Sequence, residues 1–226
     1  MEQDKLWDFH QTERSDTFLG SRARLKSLAR MIARDEVVLN IGIGGGIFEE
    51  MALALGIEVY AVDPSENAVR MLRQRLGLED RVRSGRGEKL PFPDQKFSAV
   101  VVSEVLEHLS DEVLETTLQE ILRVLIAGGR IIGTVPSRED LASQLVVCPH
   151  CGERFHRWGH VRAFDPATLR SIFGHLFGAV KVEERLYITW EALNWKGKVT
   201  AFAKLVLFLL GVHGRDENLL FVAYKR

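Results

Sequence analysis

This sequence predicts an α/β fold, an open parallel sheet with helices on both faces. Three observations carry the prediction. Short β-branched runs alternate with longer segments of helical periodicity. The first run leads directly into a glycine-rich loop, and the second ends on an aspartate. No internal repeat or low-complexity linker divides the 226 residues, a length suited to a single domain with a real core.

The elements follow in order. Residues 20–34 read as an amphipathic helix carrying Arg22, Arg24, Lys26, Arg30 and Arg34. Residues 37–41 form a strand and 47–55 a helix; 57–62 and 65–76 repeat the pair. A strand over 97–102 precedes a helix over 110–126, whose apolar positions are Val113, Leu114, Leu118, Ile121, Leu122 and Leu125. The next strand, 130–135, opens at Gly128-Gly129 and closes at Pro136. Asp165 and Pro166 supply an N-cap and a first turn for a helix reaching 173. Strands over 180–188 and 219–224 flank an apolar helical stretch, 196–210.

Composition narrows the function classes. Apolar residues make up 46% and charged residues 27%, which excludes a disordered chain. Thirty basic and 31 acidic residues leave a net charge of −1, which argues against a general nucleic-acid binder. Two cysteines cannot staple a secreted scaffold. The N-terminus is polar, without the apolar core of a signal peptide. The longest apolar stretch, 199–212, is broken by Lys204 and is shorter than the roughly 20 residues a spanning helix needs. A soluble cytoplasmic protein is the expectation.

The loop reads Asn40-Ile41-Gly42-Ile43-Gly44-Gly45-Gly46. Glycines there let a ligand lie against bare backbone, at the carboxyl edge where open sheets bind ligands. The dinucleotide pattern G-x-G-x-x-G fails from either start, since its last position falls on Ile47 or Glu49. No P-loop motif is present. Asp63 ends the second strand, where its carboxylate can accept two hydrogen bonds from a ribose diol.

With these, Leu90-Pro91-Phe92-Pro93-Asp94, Val102-Ser103-Glu104-Val105-Leu106-Glu107-His108-Leu109 and Gly128-Gly129 with Val135-Pro136 make the chain resemble the class I S-adenosylmethionine-dependent methyltransferases. The variety is the small type 11/12 group, similar to the ubiquinone-biosynthesis O-methyltransferases. The resemblance covers about residues 36 to 175. It implies a Rossmann-like three-layer sandwich, a seven-stranded mostly parallel sheet with an antiparallel last strand. It implies S-adenosylmethionine as cofactor, with Asn40, Gly42, Gly44 and Gly46 along its methionine part and Asp63 on its ribose. Gly87 and Glu88 would lie by the adenine, and Ser103 and Glu104 would face the methyl group. Three positions depart from the family pattern: Asn40 replaces an aspartate, Arg86 stands where an adenine-edge carboxylate is usual, and Ser98 replaces the aspartate before the fourth strand.

Glu104, Glu107 and His108 are spaced i, i+3, i+4, which on a helical turn puts them on one face. Either one of them enters the pocket and the rest solvate the next helix, or His108 acts as a general base, or the set holds Mg²⁺ or Mn²⁺. Glu-x-x-Glu-His resembles the metal motif of ubiquinone-pathway O-methyltransferases and small-RNA 2′-O-methyltransferases. Cys148, Cys151, His156 and His160 have the spacing of a compact knuckle for a structural Zn²⁺. Two alternatives stand beside it: the cysteines are reduced and bland, or His160 belongs to the active site as a base or fourth ligand. Arg154, Arg157, Trp158 and Arg162 of this insert are candidates to hold an anionic or sugar acceptor, or form an ordinary solvated loop. Arg70, Arg73, Arg75, Arg81, Arg83 and Arg86 read as a solvated basic face diluted by acids.

The expectation is one methyltransferase domain over 1–226, with a helical cap over 1–35, a Cys/His insert over 144–164 and a helical insertion over 189–216. Its expected activity is O-methylation of a small molecule or a glycan or lipid precursor, with His108, Glu104 and His160 catalytic. The alternatives are a non-catalytic cofactor- and zinc-binding interaction protein and an RNA 2′-O-methyltransferase. The 196–210 helix packs on the sheet or a second subunit, or touches a membrane edge with Trp190 and Trp195.

Overall fold

A computed structural model describes residues 20–214 and 217–226. The expected cap over 1–35 and insertion over 189–216 thus lie partly outside the described residues. In chain order the elements are α1 (Arg22–Ala29), β1 (Val37–Ile41), α2 (Ile47–Ala54), β2 (Glu58–Asp63), α3 (Glu66–Leu76), β3 (Val82–Ser84), β4 (Phe97–Ser103), α4 (Asp111–Val124), β5 (Leu125–Pro136), β6 (Leu145–Val147), β7 (Arg154–His156), α5 (Pro166–Leu176), β8 (Val180–Leu186), α6 (Trp195–Leu209) and β9 (Glu217–Tyr224).

Seven strands form one sheet in the order β3-β2-β1-β4-β5-β9-β8. The first five are parallel, and β9 runs antiparallel to both β5 and β8. The central strands β1, β4 and β9 are buried on both faces, so alternate residues serve opposite cores. Val38, Val59, Ala61 and Val101 pack with Leu28 of α1, Phe48 of α2 and Leu72 of α3. Leu39, Val100 and Val102 pack with Leu118 of α4 and Phe173 of α5. The chain winds outward from β1 to β2 on one side and from β1 to β4 on the other. The crevice between their carboxyl ends is the switch point where such sheets bind ligands.

Local sequence explains most boundaries. Ser65 caps α3 by accepting the Ala68 N–H at 3.1 Å, and Asp165 caps α5 by accepting that of Thr168 at 2.7 Å. Several expectations change. Strand β3, three residues long, has too little alternation to announce itself. The insert holds a β6–β7 hairpin. Helix α1 is shorter than 20–34. The basic run is stitched into the fold: Arg73 Nε bonds the Val82 carbonyl at 2.8 Å, Arg75 Nη2 the Gly45 carbonyl at 2.8 Å, and Arg83 Nη1 the Pro91 carbonyl at 2.5 Å.

Helix α6 does not pack on the sheet. Only Ala201 of its residues is buried, while Trp195, Val199, Phe202 and Leu209 are more than 60% exposed. Among the described residues no helix is long and apolar enough to cross a membrane.

Candidate active site

A cavity of about 460 Å³ opens at the switch point. The loop after β1 forms its floor through Gly42, Gly44 and Gly45, with Asn40 below. Asp63 stands at one end beside Gly87 and Glu88; Ser103, Glu104 and His108 line the other. Arg24 and Leu25 of α1 cover it, and Val113 and Thr117 of α4 wall it.

Asp63 is 2% exposed. Its Oδ2 accepts the Ile43 N–H at 2.8 Å and its Oδ1 the Ser65 N–H at 2.9 Å. One carboxylate therefore ties the glycine loop to the start of α3. A carboxylate oxygen has two lone pairs and can accept more than one hydrogen bond.

The glycines divide by purpose. Gly42 has φ +89°, and a Cβ on it would lie 2.8 Å from Val105 Cγ2. It lines the cavity. Gly46, expected along the cofactor, does not. It sits at φ +73° as the N-cap of α2, and a Cβ there would meet Arg75 Nη2 at 2.2 Å and Leu72 Cδ1 at 2.5 Å. Gly46 is needed for close packing against α3, and Gly45 takes the lining position.

Two family departures find local compensation. Asn40 Nδ2 donates to Glu49 Oε1 at 2.7 Å and to the Gly42 carbonyl at 3.0 Å. The acid absent at position 40 thus reappears from α2. Ser98 Oγ accepts the Val37 N–H at 3.0 Å and lies 3.1 Å from the Val37 carbonyl, tying β4 to β1. At the third departure, Arg86 lines the cavity beside Glu88.

Glu104 directly follows β4 with φ +56°, a strained conformation of the kind found at functional sites. Its Oε1 accepts from Asn218 Nδ2 at 3.1 Å, and Oε2 lies 3.9 Å from Arg24 Nη1. Arg24 Nε also reaches Ser103 Oγ at 3.1 Å. This backbone breaks the expected helical face. Glu107 and His108 lie on a 3-10 turn, Leu106–His108. One ligand atom each of Glu107, His108 and His160 lies within 4.8 Å of the others, and Glu104 is outside that group.

Burial tunes this trio. Glu107 is fully buried, and neither carboxylate oxygen has a hydrogen-bond partner. Burial first, then the Glu104 charge, pushes its carboxyl well above the usual range. His108 Nδ1 lies 3.3 Å from the Gly159 carbonyl. A carbonyl only accepts, so the ring proton sits on Nδ1 and the lone pair on Nε2. Burial, then the neighbouring His160, pushes His108 down to about 3, and it stays neutral. The insert is held to this turn by its backbone: the N–H groups of Val161 and Arg162 reach the Glu107 carbonyl at 2.9 and 3.3 Å. Arg162 further bonds the Leu109 carbonyl and Asp111, so it serves the fold.

The four knuckle residues do not form one ligand set. His156 pairs with Leu145 at the base of the hairpin, whereas Cys148 lies beyond the Val147–Arg154 pair at the tip. That register separates the cysteines from the histidines. His156 and His160 instead group with Glu139, which the sequence reading missed. Cys148 is half-buried and Cys151 exposed.

The parallel sheet, the glycine floor and the terminal acid define a nucleotide-cofactor domain of Rossmann-like type. A sequence profile of the methyltransferase domain family matches residues 39–133, and over that stretch the chain is similar to S-adenosylmethionine-dependent methyltransferases. It is 36% identical over 99 residues to a demethylmenaquinone methyltransferase of Clavibacter sepedonicus, covering 43% of this chain and 40% of that protein. It is 30% identical over 125 residues to a ubiquinone biosynthesis O-methyltransferase of Rhizobium etli, covering 54% and 48%. The chain thus spans less than half the length of these relatives. A crystal structure of the 1,6-didemethyltoxoflavin-N1-methyltransferase of Burkholderia thailandensis, bound to its substrate and S-adenosylhomocysteine, shares the fold. Its TM-score is 0.67 at 19% identity, covering 99% of this chain and 86% of that one.

Proposed function

We propose that the protein transfers the methyl group of S-adenosylmethionine to an oxygen of a small molecule or of a glycan or lipid-linked precursor. The observation that carries this reading is the single cavity running from Asp63, over the glycine floor, to Glu104 and His108. Its two ends suit the two halves of the reaction.

The sulfonium of the cofactor supplies an activated methyl group. The chain's work is to align and to keep water out. Asp63 would accept the ribose hydroxyls, and the backbone of 42–45 would lie along the methionine part. Gly87 and Glu88 would lie by the adenine. Arg24 would hold Ser103 and Glu104 beside the reacting carbon. An oxygen acceptor must also lose a proton. His108 turns a lone pair on Nε2 towards that proton, but burial holds its pKa near 3, so as a base it is weak and a cation beside it would have to acidify the hydroxyl.

The same residues fit a divalent cation. A fully buried carboxylate without a partner, beside two imidazoles, is a costly arrangement unless a proton or cation answers it. Glu107, His108 and His160 would hold Mg²⁺ or Mn²⁺, which when bound lowers the pKa of an acceptor hydroxyl.

Calorimetry with S-adenosylhomocysteine tests the cofactor reading. Wild type is expected to bind, and Asp63→Asn to bind 10- to 100-fold more weakly as charge-assisted bonds are lost. No heat at millimolar ligand ends the reading. Binding without tritiated methyl transfer to phenolic, glycan or lipid extracts would favour a non-catalytic cofactor-binding protein. Transfer to RNA alone would favour a 2′-O-methyltransferase.

The exposed face of α6 supports a membrane-bound acceptor. Between residues 192 and 214 there is no acidic side chain, while Lys196, Lys198 and Lys204 accompany the apolar residues. Trp195 stands at its start. That combination suits an anionic lipid surface.

A further inference from the structure

We infer that Glu139 is the positioning residue of the active site's outer wall: it fixes the ring of His160, and His156 supports Glu139 instead of ligating a metal.

The argument follows the protons. His160 Nδ1 is hydrogen-bonded to Glu139 Oε2. A carboxylate accepts, so Nδ1 carries the proton and the lone pair of His160 is on Nε2. His156 has the opposite arrangement. Its Nδ1 faces two backbone donors, the N–H of His160 at 3.2 Å and that of Trp158 at 3.4 Å. Backbone N–H groups only donate, so this Nδ1 holds a lone pair. In a neutral ring the proton must then be on Nε2, which faces Glu139 Oε1 at 3.5 Å, a close approach without a hydrogen bond. To ligate through Nε2, His156 would have to move its proton to Nδ1, against the two backbone N–H groups that face it there.

Both oxygens of Glu139 thus face ring nitrogens. The two rings stack with centroids 4.5 Å apart, 21° from parallel. The His160 ring meets His108 edge-on at 4.7 Å. With Nδ1 committed to Glu139, Nε2 is the nitrogen His160 can offer to a cation or an acceptor proton. His108 has the same tautomer, set by Gly159. A carboxylate behind a ligating imidazole fixes its tautomer and raises its basicity. The spacing of four between His156 and His160 is explained without zinc, since both rings serve one carboxylate. The backbone supplies the aim: Arg138 sits at φ +48°, and its N–H bonds the Phe164 carbonyl at 2.7 Å.

The tautomers follow from this network alone; the effect on a cation rests on the proposed Glu107–His108–His160 site. Long-range ¹⁵N–¹H NMR of the metal-free protein reads the tautomers directly. His160 should be protonated on Nδ1 and His156 on Nε2, and Glu139→Gln should leave His160 a mixture. The reverse tautomers in wild type, or an unchanged His160 in the variant, would overturn the role. Calorimetric titration with Mn²⁺, S-adenosylhomocysteine present, reads the consequence. Glu139→Gln should weaken Mn²⁺ by 10- to 100-fold, with S-adenosylhomocysteine affinity unchanged and Glu139→Asp recovering part of the loss. Equal Mn²⁺ affinity in wild type and Glu139→Gln would overturn the positioning role. No Mn²⁺ binding by wild type would instead remove the divalent reading, with the NMR result deciding on Glu139.

Discussion

Asn40 and Glu49 form a buried pair beneath the glycine loop, with Asn40 Nδ2 donating to Glu49 Oε1 at 2.7 Å while Glu49 Oε2 has no partner. Burial, only partly offset by the Asn40 hydrogen bond, pushes the Glu49 carboxyl up to about 7 from 4.5. The folded protein therefore keeps this proton after the unfolded chain has released it. Stability from this group is complete below the unfolded value and is lost as pH rises through 7, by about 3 kcal/mol. Urea unfolding of wild type should weaken between pH 5 and 8. Glu49→Gln, which imitates the protonated acid, should flatten that dependence. An equal slope in both proteins would rule Glu49 out as its source.

Gly42 and Gly46 should respond differently to the same substitution. Gly42→Ala puts a methyl against Val105 at the cavity floor, so affinity for S-adenosylhomocysteine should fall at least tenfold. Gly46→Ala drives a Cβ into Arg75 and Leu72 outside the cavity. It should lower the melting temperature by several degrees, through strain of at least about 1 kcal/mol, and change ligand affinity little. Thermal melts and calorimetry on the pair separate the roles.

Cys148→Ser with Cys151→Ser should leave the melting temperature within about 1 °C of wild type, since neither side chain belongs to the core. A collapse of the fold, with loss of one zinc per chain by elemental analysis, would restore the four-residue knuckle. Within the hairpin the Cys148 thiol is lowered by the backbone N–H groups of Cys151 and His150. It should therefore alkylate faster than a free thiol at pH 7.

Vesicles test α6. The protein should sediment with phosphatidylglycerol vesicles and much less with phosphatidylcholine alone. Phe202→Glu combined with Leu209→Glu should abolish sedimentation. A dimer by gel filtration that the same substitutions break, without vesicle binding, would assign the face to a second copy of the chain.

Local patterns made much of this architecture readable. The β-branched runs and the glycine loop act through neighbours in sequence, so spacing alone finds them, and Asp63 stands out by its place at the end of the second run. Spacing treats the loop glycines alike, whereas close packing against Arg75 and Leu72 sets Gly46 apart. The knuckle was misread because spacing counts residues along the chain, whereas hairpin register decides that His156 lies opposite Leu145. Glu139 left no signal: it meets His160 across 21 positions of sequence, and only the packing of β5's exit loop against the insert creates the contact. The i, i+3, i+4 spacing carries no trace of the left-handed backbone that takes Glu104 out of the face shared by Glu107 and His108.

The anchoring of the insert at Val161 and Arg162 sets which parts of it are free to vary. Those two amides grip the Glu107 carbonyl, and within the insert the backbone that carries His160 to Glu139 lies at that root. The Cys148–Cys151 turn hangs at the far end of the ribbon, away from the anchor. Lengthening, trimming or tagging that turn should therefore be tolerated, while a one-residue slip between 156 and 162 would take the imidazole out of reach.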